Sequence, residues 1–131
     1  MIKHVAVGVI VGDDGQILIA KRADHLHQGG LWEFPGGKLH DGEHVVDALV
    51  RELREELAIE VTAFSPLMVH EHHYPDKSVV LDIWLVTEFE GEPTGNEGQP
   101  IKWVATKALD AHDFPEANWP IIEKIKCLLD Q

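Results

Sequence analysis

Glu43, Glu52, Glu55 and Glu56 fall on a segment, Glu43 to Leu57, whose apolar positions Val46, Leu49, Val50, Leu53 and Leu57 follow the period of one helix. Each helical residue advances about 100 degrees, so Glu52, Glu55 and Glu56 share one flank beside the apolar stripe, an arc roughly 100 degrees wide. Carboxylates held this close repel and raise one another's pKa, whereas a hard, oxygen-seeking cation such as Mg²⁺ or Mn²⁺ turns them into a ligand set. Arg51, Arg54 and Lys38 neutralise only part of the cluster. The structural alternative is a solvated charged face with Asp47–Arg51 and Arg51–Glu55 pairs, and the helix taken alone does not choose between the two.

The charge of the whole chain bears on that choice. Asp and Glu number 23 against 11 Lys and Arg, a formal net charge of -12. Such a protein is not expected to bind DNA or RNA, which requires basic residues to displace counterions from phosphates. A polyphosphate is repelled as well unless divalent cations bridge it to the protein, so a phosphate substrate implies a metal-requiring site.

With 131 residues, 44% of them hydrophobic and 26% charged, residues 1–131 are expected to form a single globular domain. The lone cysteine, Cys127, excludes an internal disulfide and a thiolate zinc site; it fits a reducing cytoplasm and is expected in the core. The longest N-terminal apolar run, Val5 to Val11, is too short to span a membrane and leads into Asp13 and Asp14 instead of a cleavage site. Neither a targeting segment nor a membrane partner is expected.

The elements that position the glutamates are readable in outline. Lys3 to Val11 and Gln16 to Lys21 read as a hairpin around Gly12-Asp-Asp-Gly15, Ala23 to Gly30 as a loop, and Trp32 to Lys38 as a second loop dense in turn residues. Glu60 to His70, Ser78 to Phe89 and Ile101 to Val104 read as strands. Asn118 to Leu129 has the helical period at Ile121, Ile122, Ile125, Leu128 and Leu129, with Asn118 as cap and Pro120 in the first turn. The class is α+β, a mixed β-sheet sandwiched between α-helices.

Set in sequence, Gly37, Glu43, Arg51-Glu52-Leu53, Glu55-Glu56 and Ile59 resemble the box of the Nudix hydrolase family, G-x5-E-x7-R-E-U-x-E-E-x-G-U with U aliphatic. One position departs, since Ala58 stands where the family has a glycine just past the helix. A left-handed residue is favoured there and costs alanine about 1 kcal/mol or more, so the helix exit is expected to differ. The resemblance implies a Nudix fold and a Mg²⁺-dependent hydrolase, with Mn²⁺ as a substitute. It implies that Glu52, Glu55 and Glu56 bind metal with help from the Gly36 carbonyl, and that Glu43 and Arg51 hold loop and helix together. It further implies that Glu52 or Glu97 acts as the general base.

The likeness runs further, through Ala6-Val-Gly-Val9, Lys21-Arg22, Trp32-Glu-Phe-Pro-Gly-Gly-Lys38, Glu90-Gly-Glu-Pro93, Glu97-Gly-Gln-Pro100 and Asp113-Phe-Pro-Glu-Ala-Asn118, which look like the MutT-type 8-oxo-dGTP diphosphatases. That likeness implies hydrolysis of a nucleoside triphosphate to the monophosphate and pyrophosphate by a cytoplasmic monomer, removing an oxidised nucleotide before it reaches DNA. By the same likeness Arg22, His27 and Lys77 contact the nucleotide, Glu33, Phe34, Pro35 and Gly36 line its pocket, and Glu97 joins the metal site. Asn118 then reads the base edge, because an amide offers both a donor and an acceptor; its competing use is the helix cap. Trp119, next to Asn118, departs from the commonest residue and is expected to reshape the base pocket. His25, His27, His70, His72 and His73 lack the spacing of a zinc motif and are assigned no metal.

Two rivals differ from this expectation. A pyrimidine-directed relative acting on CTP, dCTP or a modified cytosine nucleotide keeps the box and differs around Asn118, Trp119 and Tyr74 to Lys77. A nucleotide-sensing domain that has lost hydrolysis is expected to show eroded glutamates, and Glu43, Glu52, Glu55 and Glu56 are all present.

Overall fold

In the computed structural model, residues 2–22 and 29–129 are described. They form β1 (Ile2–Ile10), β2 (Ile17–Lys21), β3 (Trp32–Glu33), β4 (Gly36–Lys38), α1 (Val45–Leu57), β5 (Glu60–Tyr74), β6 (Lys77–Glu90), β7 (Ile101–Val104) and α2 (Trp119–Leu129), with short 3-10 turns at Thr106–Ala111 and Glu116–Asn118. The strands make two sheets, ordered β4-β1-β6-β5 and β3-β2-β7. β1 runs parallel to β6 and all other pairings are antiparallel, which is the mixed character expected.

Side-chain alternation along β1 and β2 explains the layers. Ala6, Ile10 and Leu18 face one way and pack with Ala48, Leu49, Leu53 and Leu57 of α1. Val7, Val9, Ile17 and Ile19 face the other way and pack with Ile121, Ile122 and Ile125 of α2. Apolar surface on both faces of these strands therefore requires a helix on each side, and the sandwich follows from that requirement.

Three local expectations are corrected. The turn at 12–16 forms as read, with the Gly12 amide on the Gln16 carbonyl at 2.8 Å, but β1 and β2 share only the Val11–Ile17 bridge and then part into different sheets. Both edges of β1 are already occupied, by β4 and β6, so β2 has no edge to join. Trp32 to Lys38 is not a plain loop, because β3 pairs with β2 and β4 with β1. Its glycines serve close approach: a Cβ on Gly36 would stand 2.0 Å from the Ala6 carbonyl oxygen. Strands β5 and β6 continue to a tip where Tyr74 pairs with Lys77, further than their hydrophobic runs indicated.

The helices differ in detail too. α1 starts at Val45, since Glu43 is spent in a turn whose amide donates to the His40 carbonyl at 2.9 Å. Cys127, expected in the core, is exposed; the buried stripe of α2 is Ile121, Ile122 and Ile125, and Cys127 lies off it. At the end of α1, Ala58 takes the left-handed conformation itself, with φ 59° and ψ 35°, and its amide closes on the Arg54 carbonyl. The exit therefore keeps the geometry a glycine would give, and the strain falls on alanine.

Candidate active site

β4 and the C-terminal half of α1 meet so closely that their contacts define the site. The Gly36 amide donates to Glu56 Oε2 at 2.9 Å. One residue on, a Cβ at Gly37 would lie 2.3 Å from the Glu52 carboxylate carbon, so the Glu52 side chain occupies the space that glycine leaves. Arg51 ties the same loop to the helix from the other end. Its Nε and Nη2 each donate to Glu43 at 2.9 Å, Nη2 also donates to the Lys38 carbonyl at 3.1 Å, and Nη1 donates to Glu52 at 2.7 Å and to Glu55 at 3.5 Å. Among the described residues Arg51 pairs with these groups and not with Asp47, so the surface ion-pair reading of the helix holds only for Arg51–Glu55.

Burial separates the carboxylates. Glu56 is only 9% exposed, and burial pushes its carboxyl up to about 8, with Glu33, Glu52 and Glu97 adding repulsion while the Gly36 amide opposes the shift. Glu33 is also raised by burial, and Arg22, 3.2 Å away, counters it. Glu43 moves the other way, to about 2, because Arg51 and the His40 amide both bond its charged form. Glu33, on β3, thus joins the carboxylates around Glu56. Among the described residues no three acidic, histidine or cysteine side chains are gathered tightly enough to hold an ion as they stand; Glu33, Glu52 and Glu56 are each engaged by a partner of their own.

The segment 94–99 brings Glu97 to this group. Asn96 donates from its side chain to the Glu55 carbonyl and from its backbone to the Glu56 carbonyl, and Gln99 Nε2 donates to the Glu56 carbonyl at 3.1 Å. The sequence reading missed Asn96 and Gln99. The only trace of them in the sequence is a pair of amide side chains, each just after a glycine, on either side of a glutamate, which suits bonding a helix end but does not say which end they meet.

On the other side of β4 lie the groups expected to meet a nucleotide. Phe34 is buried and stacked on Phe114, ring centroids 5.1 Å apart, in the core cluster that includes Ala117. Asn118 lies in the 3-10 turn before α2, and among the described residues its side chain makes no hydrogen bond, so the cap role is not taken up. Lys77 sits over the Tyr74 ring at 5.6 Å. The pKa of the Tyr74 hydroxyl is pushed up by burial and then by Glu116, and pulled down by Arg22, so the hairpin tip, the turn that holds Asn118 and the end of β2 are near enough for their charges to act on one another. His25 and His27 fall outside the described residues. Trp119 is 57% exposed and borders a surface cavity with Asp110, Ile122 and Glu123.

Residues 6–124 match the family model of the NUDIX domain. The chain belongs to the NUDIX family. Among its NUDIX relatives, the 8-oxo-dGTP diphosphatase of Escherichia coli K12 is 45% identical over 125 residues, covering 95% of this chain and 97% of its own. The CTP pyrophosphohydrolase of the same organism is 36% identical over 122 residues, covering 93% and 90%. A solved MutT structure, from work on the Aliivibrio salmonicida and Vibrio cholerae proteins, superposes with a TM-score of 0.84 at 41% identity, covering 97% of this chain and 98% of its own. The chain is thus a NUDIX hydrolase by family, and the contacts of Gly36, Gly37, Glu43, Arg51, Glu52 and Glu56 are those within its NUDIX box and the residue before it.

Proposed function

We propose that residues 1–131 act as one Nudix domain that hydrolyses 8-oxo-dGTP to 8-oxo-dGMP and pyrophosphate, keeping an oxidised guanine nucleotide out of DNA synthesis. The observation that carries this reading is the joining of the Gly36–Gly37 segment to Glu52 and Glu56, with Glu33 and Glu97 close enough to act on the Glu56 charge. An oxygen-only set of donors, within which burial and then the neighbouring Glu33, Glu52 and Glu97 push the Glu56 carboxyl upward, fits Mg²⁺, with Mn²⁺ as substitute. Glu52, Glu55, Glu56, Glu97 and the Gly36 carbonyl are the groups that would hold it. Bound there, Mg²⁺ supplies neutralisation of the triphosphate, polarisation of the attacked phosphorus and a water of lowered pKa.

The protein groups do the rest. Glu52 or Glu97 takes the proton from the attacking water. Arg51 fixes the Glu52 carboxylate through the 2.7 Å bond and, through Glu43 and the Lys38 carbonyl, keeps the loop against the helix. Arg22, His27 and Lys77 meet phosphate and sugar oxygens. Asn118, with its amide unspent, pairs with the donor and acceptor edge of the oxidised purine beside the Phe34 wall, where Pro35 and Gly36 let the backbone approach. The protein works as a cytoplasmic monomer without nucleic-acid or membrane partners; among the described residues no helix is long and apolar enough to cross a membrane.

The CTP pyrophosphohydrolase relative supports a second reading, in which the same chemistry serves a cytosine nucleotide. Product analysis tests the reaction class for both. Incubation of 8-oxo-dGTP with the protein and Mg²⁺ is expected to yield monophosphate and pyrophosphate in equal amounts, and release of orthophosphate with a diphosphate would contradict it.

A further inference from the structure

The last four carbonyls of a helix have no partner inside it, yet in α1 each one has a partner. Ala58 closes on the Arg54 carbonyl at 3.0 Å, and segment 94–99 supplies all the others. Asn96 Nδ2 donates to the Glu55 carbonyl at 2.9 Å. The Glu56 carbonyl accepts from the Asn96 amide at 3.0 Å and from Gln99 Nε2 at 3.1 Å, and the Leu57 carbonyl accepts from the Thr94 amide at 3.0 Å. The Gln99 amide is used at both ends, because its Oε1 accepts from the Glu97 backbone N–H at 2.9 Å. One side chain therefore links the backbone of Glu56 to the backbone of Glu97. The link leaves little slack, since a Cβ on Gly95 would stand 2.0 Å from the Gln99 carbonyl oxygen.

We propose that Gln99, assisted by Asn96, is a positioning residue that locks the Glu97 segment onto the last turn of α1, so that Glu97 meets a divalent cation with its backbone already fixed. Glu97 is exposed and precedes a glycine, and such a residue loses conformational freedom when it takes up a ligand. Fixing the backbone beforehand removes that cost from binding. Partners one shell away from metal ligands typically govern affinity or activity by about 10- to 100-fold, and the Gln99 bridge holds Glu97 by anchoring its backbone to the Glu56 carbonyl.

This inference rests on the reading of Glu97 as a metal ligand, and the test separates the two. Mn²⁺ affinity is measured by calorimetry and by loss of the free-ion paramagnetic signal, for the wild type, Glu97→Gln, Gln99→Met and the double variant. Glu97→Gln is expected to weaken Mn²⁺ binding, Gln99→Met to weaken it by about tenfold, and the double variant to be no worse than Glu97→Gln alone, because Gln99 acts through Glu97. A loss in Glu97→Gln with none in Gln99→Met, even if the melting temperature falls, overturns the inference and leaves the ligand assignment standing. Additive losses overturn it as well. Unchanged affinity in Glu97→Gln removes the ligand assignment and the inference together. Asn96→Ala, which deletes only the bond to the Glu55 carbonyl, serves as the second variant should Gln99→Met fail to fold, with the same expected direction and the same overturning results.

Discussion

The Gly36 backbone N–H donates to the Glu56 carboxylate at 2.9 Å across 20 residues of sequence, joining the loop ahead of α1 to the most buried acid of the helix. A single bond of this kind does not offset the burial of Glu56 and the repulsion from Glu33, Glu52 and Glu97, so its carboxyl remains raised to about 8. The site is therefore electrostatically strained in the direction that a divalent cation relieves.

That strain gives a pH prediction. Between the ordinary value of 4.5 and about 8 the folded protein carries a proton on Glu56 that the unfolded chain does not. Metal-free stability is thus expected to fall as pH rises through this window. Melting temperatures from pH 5 to 8.5 in chelator check it. Glu56→Gln should flatten the decline, and saturating Mg²⁺ should lessen it, because the cation takes the place of the proton.

Glu43 behaves oppositely. Arg51 and the His40 amide hold its carboxyl near 2, so the stability it contributes is present above 4.5 and is lost as pH falls toward 2. Glu43→Gln should lower the melting temperature at pH 7 and weaken its decline between pH 4.5 and 2. An acid-unfolding profile identical to wild type would remove the Glu43–Arg51 clamp from the account.

Gly37→Ala places a methyl group where the Glu52 carboxylate now sits, 2.3 Å from its carbon. The end of a glutamate side chain can swing away, so the fold should survive while Glu52 is displaced. Both Gly37→Ala and Glu52→Gln are expected to keep the wild-type circular dichroism spectrum and to lower kcat, the latter by about 10²- to 10⁴-fold.

Ala58 is the only described non-glycine residue with positive φ. Ala58→Gly should relieve about 1 kcal/mol and raise the melting temperature by about 3 to 5 °C. Calorimetric melting decides it; no gain would mean that the left-handed exit costs alanine nothing here.

The parts legible in the sequence were those written as local periodicity or exact spacing. The α1 stripe of Leu49, Leu53 and Leu57 is buried as its period required, and Ile121, Ile122 and Ile125 define the buried face of α2. Pairing partners were not legible, because adjacency in sequence is only a prior: β1 lies next to β6, more than 60 residues away by its register of Ile2 with Ser78, and not next to β2. Trp32 to Lys38 read as a loop because Pro35, Gly36 and Gly37 carry turn chemistry, whereas Gly36 and Gly37 are there so that the backbone and Glu52 can come close. Within the site, the glutamates were visible by type and spacing, while Asn96 and Gln99 were not, because their contacts are with helix carbonyls that every helix end has. The left-handed Ala58 was misjudged for a related reason: chain closure by the Arg54 carbonyl outweighs a preference of about 1 kcal/mol.

The measurement that bears most directly on the whole account is kcat/KM for 8-oxo-dGTP, dGTP, CTP and dCTP with Mg²⁺, in the wild type and in Asn118→Ala. The account predicts that 8-oxo-dGTP is the preferred substrate, that monophosphate and pyrophosphate are the products, and that Asn118→Ala erodes the preference while hydrolysis of the other nucleotides continues. A higher kcat/KM for a cytosine nucleotide would contradict the assigned substrate, and no Mg²⁺-dependent turnover of any of the four would contradict the assigned chemistry.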